Sequence, residues 1–246
     1  MQQLGWNMAT YMGIRASQEL ELLSHNMANA NTPGFKQELL HLWRLEAPGA
    51  PTDELGQQQA YYLNVRSRDY TQGSLHATGN DTDFGLDGPG FFKVQTPQGL
   101  RYTRNGAFRV NQDWQLVTKE GYLVLGKNGP ITLNANDQNF YMDQEGGVHL
   151  DKSLGDQLTI VDFPNPQGLK QQGHCFYVAT PQAGQETEAT TNTKLREGEI
   201  EESNFDPTSK IVKLMDIQRT FEAYMKVIDT FAAKDRKVIE EIGAPA

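Results

Sequence analysis

The chain has 246 residues, 22 lysines and arginines against 31 aspartates and glutamates, and a formal net charge of −9 at pH 7. An acidic chain without a lysine and arginine cluster is a poor partner for nucleic acid or an anionic membrane surface, both of which select basic patches. No stretch nears eighteen consecutive apolar residues, so no direct membrane insertion is expected, and a single cysteine, Cys175, excludes an internal disulfide framework.

Residues 1–18 show no basic leader followed by an apolar run, so no cleaved signal peptide is expected. Across residues 4–30 Met8, Met12, Ala16, Leu20, Leu23 and Met27 recur at helical steps. Gly5 and Gly13 each lower helix propensity by about 1 kcal/mol relative to alanine, so this helix is expected to depend on a partner. It stops at Asn26-Met27-Ala28-Asn29-Ala30-Asn31-Thr32-Pro33-Gly34-Phe35-Lys36. Pro33 turns Thr32 away from helical angles, Gly34 permits a positive φ, and Phe35 is expected as a buried anchor. Residues 37–69 combine Leu39, Leu40, Leu42, Trp43 and Leu45 with a Pro/Gly-containing stretch at 48–56, and read as a short apolar segment and an extended linker.

From residue 70 the pattern changes to short apolar runs between turn residues, as in Phe91-Phe92-Lys93-Val94 and Tyr122-Leu123-Val124-Leu125. Such spacing predicts a β-rich antiparallel domain over 70–205, with Asn105-Gly106 as a type I′ hairpin turn. Gly85-Leu86-Asp87-Gly88-Pro89-Gly90 lacks the Lys-Ser/Thr of a phosphate loop and precedes a strand, so it reads as a hairpin turn. The histidines His25, His41, His76, His149 and His174 show no metal-ligand spacing, and neighbours His174 and Cys175 point to opposite faces of a strand. No metal, cofactor or catalysis is expected. Glu197, Glu199, Glu201 and Glu202 read as a solvated acidic run.

Residues 206–242 carry the longest regular pattern. Asp206 is placed to cap the helix, Pro207 to begin it, and Gly243 and Pro245 to end it. With Leu214 at heptad position a, the a and d positions are Leu214, Ile217, Phe221, Tyr224, Ile228, Phe231, Asp235, Val238 and Ile242. Asp235 breaks the stripe, as a register-setting residue or as the point where it opens to solvent. Ile211, Met225, Ala232 and Ile239 fill the adjoining e position, making the apolar face wider than one partner requires. The expected architecture is α+β: an N-terminal helix and turn (1–36), a linker (37–69), a β domain (70–205) and a C-terminal helix (206–246). The two helices are expected to pair as a coiled-coil-like stem whose remaining stripe meets other subunits, a heterologous contact that generates a ring or a tube.

Three stretches also carry a resemblance. Ala28, Asn29, Thr32, Gly34 and Phe35 are similar to the signature that follows the first helix of bacterial flagellar axial proteins of the rod and hook. The run Thr78-Gly79-Asn80, Asp83, Gly88, Gly90-Phe91-Phe92, Val94, Tyr102-Thr103-Arg104, Gly106, Phe108, Leu116-Val117, Gly121 and Leu125-Gly126 resembles their central motif. Gly198-Glu199-Ile200-Glu201-Glu202-Ser203-Asn204 resembles the lead-in to their last helix. At Asp113-Trp114-Gln115 the family usually has a turn glycine, and a tryptophan reads against that turn if it needs positive φ.

The resemblance implies a non-enzymatic structural subunit of the flagellar basal-body rod. It would be periplasmic, exported by the flagellar type III apparatus without a cleaved signal, and partnered by copies of itself and by neighbouring rod proteins. The residues expected to serve assembly are Leu20, Leu23, Met27, Asn29, Thr32, Gly34, Phe35, Ser203, Asn204, Leu214, Ile217, Phe221, Tyr224, Met225, Ile228 and Phe231. Residues 219–228 resemble the proximal-rod branch most, with the distal rod as the alternative; the chain is rather short for a hook protein. A surface binding module on a coiled-coil stalk would keep the helices without a tube, and an enzyme would need a site that the sequence does not display.

Overall fold

A computed structural model describes residues 2–46, 60–133, 140–143, 145–150, 153–173, 175–189 and 192–243. They divide into two compact units, which departs from the expected four-segment order. The first gathers described residues from 1–28, 38–67 and 206–246, and the second those from 29–37 and 68–205.

The first unit is built on α1 (Gln2–Ala28) and α2 (Pro207–Gly243). Asp206 caps α2, its carboxylate accepting the Thr208 N–H at 3.0 Å. Hydrogen bonds from Ser209 and Thr208 hold that carboxyl below its ordinary value. Along α2 from Leu214 to Phe231 every a and d side chain is partly or fully covered, while the residues between them are exposed. Continuation of the stripe through Asp235, Val238, Ile239 and Ile242 lies outside the residues whose side chains are described.

The covered face meets α1 running antiparallel. Trp6 sits edge-on to Phe231 with ring centroids 6.0 Å apart, Gly13 lies against Tyr224 and Ile228, and Lys213 reaches Glu19 at 2.7 Å. Of the expected α1 stripe, Met12, Ala16, Leu20, Leu23 and Met27 are covered, and Met8 is not. Three successive steps of four rotate it by about 40° each around the helix, and Met8 is left 60% exposed. Trp6, Ala9, Gly13, Ala16, Leu20 and Leu23, at alternating steps of three and four, are all covered. The small residues at its centre allow the close approach of α2.

Residues 37–69 are not an extended linker. Glu38–Glu46 (β1) and Ala60–Arg68 (β2) are strands paired with each other; the Pro/Gly stretch expected as the linker's centre lies outside the described residues. Asn26 binds the hairpin to α1 twice, its Nδ2 donating to the Glu38 carbonyl at 2.8 Å and its Oδ1 accepting the Glu38 N–H at 2.9 Å. Gln18 accepts from Asn64 at 2.8 Å and Glu21 from Arg66 at 3.0 Å. Leu22, one turn from each of Gln18 and Asn26, is buried on this face. The β-forming run Ala-Tyr-Tyr-Leu-Asn-Val at 60–65 supplied the overlooked strand signal.

In the second unit the chain runs through β3 (Leu75–Ala77), β4 (Phe84–Asp87), β5 (Phe91–Thr96), β6 (Gly99–Thr103), β7 (Arg109–Val110), β8 (Leu116–Val117), β9 (Leu123–Gly126) and β10 (Gly129–Pro130). It continues through β11 (Phe140–Met142), β12 (Gly147–Leu150), β13 (Ser153–Gln157), β14 (Ile160–Asp162), β15 (Leu169–Gln171), β16 (Phe176–Ala179), β17 (Thr187–Glu188), β18 (Lys194–Glu197) and β19 (Glu199–Glu201). The main sheet has the order β15-β16-β6-β5-β9-β8-β7, with β10 added on β9 and β14 bridging β5 to β17. Smaller antiparallel sheets join β11-β12-β13, β18-β4 and β19-β3. Alternation along β5 makes two cores: Phe92 and Val94 face one with Phe108 and Ile131, and Phe91 faces the other with Tyr102, Phe163 and Tyr177.

Three turn expectations are corrected. Asn105-Gly106 closes no hairpin, because β6 pairs with β5 and β16 while β7 pairs with β8. Gly106 is needed for approach instead of for positive φ, since a Cβ there would lie 1.7 Å from the Phe84 carbonyl oxygen. Gly88-Pro89-Gly90 is no hairpin turn either, because β4 and β5 belong to different sheets. The turn at Trp114 does form, with Trp114 at φ +59. Asn111 holds it, its side-chain oxygen accepting Asp113 N–H at 2.9 Å and Gln115 N–H at 2.8 Å, and its carbonyl accepting Trp114 N–H at 3.1 Å.

Candidate functional site

Three chain segments far apart in sequence meet inside the second unit: the turn at 29–37, the end of β6 with residues 104–106, and β19 with residues 202–205. Sequence dictates the first turn. Thr32 accepts the Phe35 N–H at 3.2 Å, Gly34 takes φ +68, and Phe35 is 1% exposed. A Cβ on Gly34 would stand 2.4 Å from the Arg104 carbonyl carbon, so the positive φ and the close passage of another backbone both require glycine. The Gly34 N–H donates to the Glu201 carbonyl at 2.7 Å.

Asn204 works as a second fastener. Its N–H donates to the Phe35 carbonyl at 3.3 Å, its Oδ1 accepts the Gln37 N–H at 2.8 Å, and its Nδ2 donates to the Asp69 carbonyl at 2.9 Å. Ser203 Oγ accepts the Phe205 N–H at 3.2 Å and fixes the exit of the segment. Against the upward push of burial, hydrogen bonds from Thr71 and Gln37 hold the Asp69 carboxyl below its ordinary value.

At the centre lies an ion cluster that the sequence reading missed. Glu201, expected in solvent, has a fully buried side chain. One carboxylate oxygen accepts from Lys36 Nζ at 2.6 Å and from the Gly73 N–H at 2.8 Å; the other accepts from Arg104 Nε at 2.5 Å. Lys36 also donates to the Thr71 carbonyl at 2.5 Å. Arg104 also donates to the carbonyls of Gly88, Gly90 and Leu86, so the loop that resembled a phosphate cradle is a carbonyl cradle for a guanidinium. Burial pushes the Lys36 ammonium below its ordinary value while Glu201 pulls it back up. Lys36, Arg104 and Glu201 all lie within or beside the three resembling motifs; that coincidence was the available signal.

The expected assembly residues therefore fall into two groups. Asn29, Thr32, Gly34, Phe35, Ser203 and Asn204 belong to this meeting of three segments, a clasp, and are engaged within the chain. Leu20, Leu23, Met27, Leu214, Ile217, Phe221, Tyr224, Ile228 and Phe231 are covered or half covered within the first unit, and Met225 is exposed. Beside the e-position Ile211, the outward face of α2 carries Val212 at 65% exposure and Met215 at 53%, which the heptad reading did not single out.

Among the described residues no group of histidine, cysteine or carboxylate side chains is gathered to hold a metal ion. Burial raises the Cys175 thiol to about 12, so at neutral pH it is protonated and a poor nucleophile. No helix among the described residues is long and apolar enough to cross a membrane.

Comparison with known proteins identifies the same three segments. Residues 14–36 match the flagella basal body rod protein family, 85–150 the D1 domain of the flagellar hook protein FlgE/F/G family, and 196–240 the C-terminal family of flagellar basal body rod FlgEFG proteins. The flagellar basal-body rod protein FlgF of Caulobacter vibrioides is 32% identical over 96% of this chain and 98% of its own length. The rod protein FlgG of Buchnera aphidicola is 30% identical over 89% of this chain and 92% of its own, and FlgG of Bacillus subtilis 29% identical over 86% and 89%.

Proposed function

The chain belongs to the flagellar basal-body rod protein family, and from that membership we propose how it serves the rod. It is a structural subunit of the flagellar basal body. The observation that carries the reading is the coincidence of sequence and geometry: the stretches shared with rod proteins supply all three segments of the clasp. A FlgF protein matched over nearly the full length of both chains favours a proximal-rod position.

Assembly runs through the helices. The a and d seam of α2 is occupied by α1, which leaves Ile211, Val212, Met215 and Met225 uncovered in the first unit. Exposed apolar surface of this kind on an elongated helix suits docking to helices of neighbouring subunits. Head-to-tail repetition of such a contact winds into an open helical tube when the operation does not close into a ring. Export through the flagellar type III apparatus delivers the subunit to the periplasmic rod. The clasp serves torque: load crossing the second unit is shared among three cross-linked segments. No catalytic step is assigned to any residue.

Deletion of the gene in the bacterium that carries it should leave cells non-motile and without complete rods in electron micrographs of isolated basal bodies, with both restored by the wild-type chain. Motile deletion cells with normal rods would remove this reading.

A further inference from the structure

Arg101 occupies a place where the strand pattern calls for an apolar side chain. It lies across from Val94 of β5, a fully buried core residue, and on the opposite face of β6 from Tyr102, whose ring packs edge-on to Phe163 at 4.9 Å. Arg101 is only 9% exposed. Its guanidinium donates to the Leu100 carbonyl at 2.8 Å and, among the described residues, has no carboxylate within ion-pairing distance. The other deeply buried cations differ: Lys36 and Arg104 share Glu201, and Arg68 reaches Gln171 and the face of Tyr177. A buried charge left without a counter-charge carries a heavy desolvation cost, which an arriving anion relieves.

Arg101 lines an open pocket of about 330 Å³ whose walls include Gln98, Gln172 and the edge-to-face pair Tyr122 and Phe176, with ring centroids 5.5 Å apart. Glu120 lines it as well and is exposed. We propose that this pocket binds a carboxylate. The planar guanidinium takes the two oxygens side by side, the glutamine amides offer further donors, and the aromatic pair receives the aliphatic stem. Glu120 repels anions in proportion to their charge, so a single carboxylate is opposed less than phosphate. An acidic side chain of a neighbouring subunit and a free small acid share this chemistry. The ligand class rests on the pocket alone, and only the subunit source rests on the rod reading.

The test titrates the full-length chain with sodium acetate, and with sodium chloride at matched ionic strength, following the Tyr122 and Phe176 ring signals by NMR. Saturable shifts with acetate, absent with chloride and lost in Arg101→Met, are expected; Arg101→Lys, which keeps the charge without the fork, should bind about ten-fold more weakly. A response to acetate no different from chloride, or an equal saturable response in Arg101→Met, overturns the proposal. Should Arg101→Met fail to fold, Gln98→Ala with Gln172→Ala replaces it: weakened binding supports the site and unchanged binding overturns it. Sedimentation of the concentrated chain then separates the sources. Self-association that acetate inhibits in the wild type, and that Arg101→Lys itself weakens, assigns the carboxylate to a neighbouring subunit. Association indifferent to acetate assigns it to a free acid and leaves the rod reading untouched.

Discussion

Replacing Glu201 by glutamine keeps the shape of the side chain and removes the charge on which Lys36 and Arg104 both converge. The carboxylate is fully buried and its partners are nearly so, at 2% and 4% exposure, so solvent cannot supply a counter-charge. Glutamine can still accept from the Gly73 N–H or from Lys36 through its oxygen, but its amide then faces the Arg104 Nε–H donor to donor. Breaking one side of a buried ion pair costs about 3–5 kcal/mol. For a unit of this size each kcal/mol lowers Tm by about 2–4 °C, so a fall of about 6–20 °C is expected. Thermal unfolding followed by circular dichroism measures it, with Asp87→Asn as the control: that residue pairs with Arg196 at 43% exposure on both sides, where a surface ion pair contributes about 0–1 kcal/mol. A Glu201→Gln chain that melts with the Asp87→Asn control would refute the idea that the cluster holds the clasp.

Other substitutions probe the remaining joints. Gly34→Val must adopt φ +68 and place its Cβ within 2.4 Å of the Arg104 backbone, so it should destabilise the second unit by more than about 2 kcal/mol and abolish motility on complementation. Gly13→Ala should raise the Tm, because its Cβ would meet Tyr224 and Ile228 at an ordinary 3.7 Å while the helix gains about 1 kcal/mol of propensity. Phe221→Ala and Ile228→Ala, at half-covered positions, should each cost about 1–3 kcal/mol in denaturant melts and shorten or remove rods in micrographs of complemented cells. Acid should destabilise the second unit. Hydrogen bonds hold Asp69, Asp143 and Glu186 below their ordinary 3.8 to 4.5 despite burial, so the unfolded state binds more protons there. That stabilisation is complete above the ordinary values and is lost as pH falls through the lower folded ones; Tm measured between pH 7 and 3 should decline chiefly below about 4.5.

The long helix was legible because heptad spacing, the Asp206 cap and the Pro207 start all point the same way, and the structure follows the a and d positions from Leu214 to Phe231. The α1 seam was legible in part: Ala16, Leu20 and Leu23 lie on it, whereas Ala9 and Gly13 carry no hydrophobic periodicity and are selected by the close approach to α2. Gly34 and Phe35 were readable from local turn chemistry. Glu201 was not: nothing local distinguishes it from Glu199 or Glu202, and its burial depends on cations contributed from residues 36 and 104. Asn105-Gly106 failed for a similar reason, since the glycine answers to the distant Phe84 backbone and not to a hairpin. Trp114 shows the converse, with Asn111 supplying enough bonds to hold a tryptophan where glycine is usual. Local signals thus carried the elements, while the clasp arises from long-range meetings that no window of sequence contains.

The most direct test of the account is a cryo-electron microscopy map of basal bodies isolated from the bacterium that carries this gene, at a resolution that identifies side chains. The chain should be found within the rod, with α1 and α2 antiparallel and Ile211, Val212, Met215 and Met225 packed against helices of adjacent subunits. A rod in which the chain is absent, or in which that face of α2 meets only solvent, would contradict assembly through the helices.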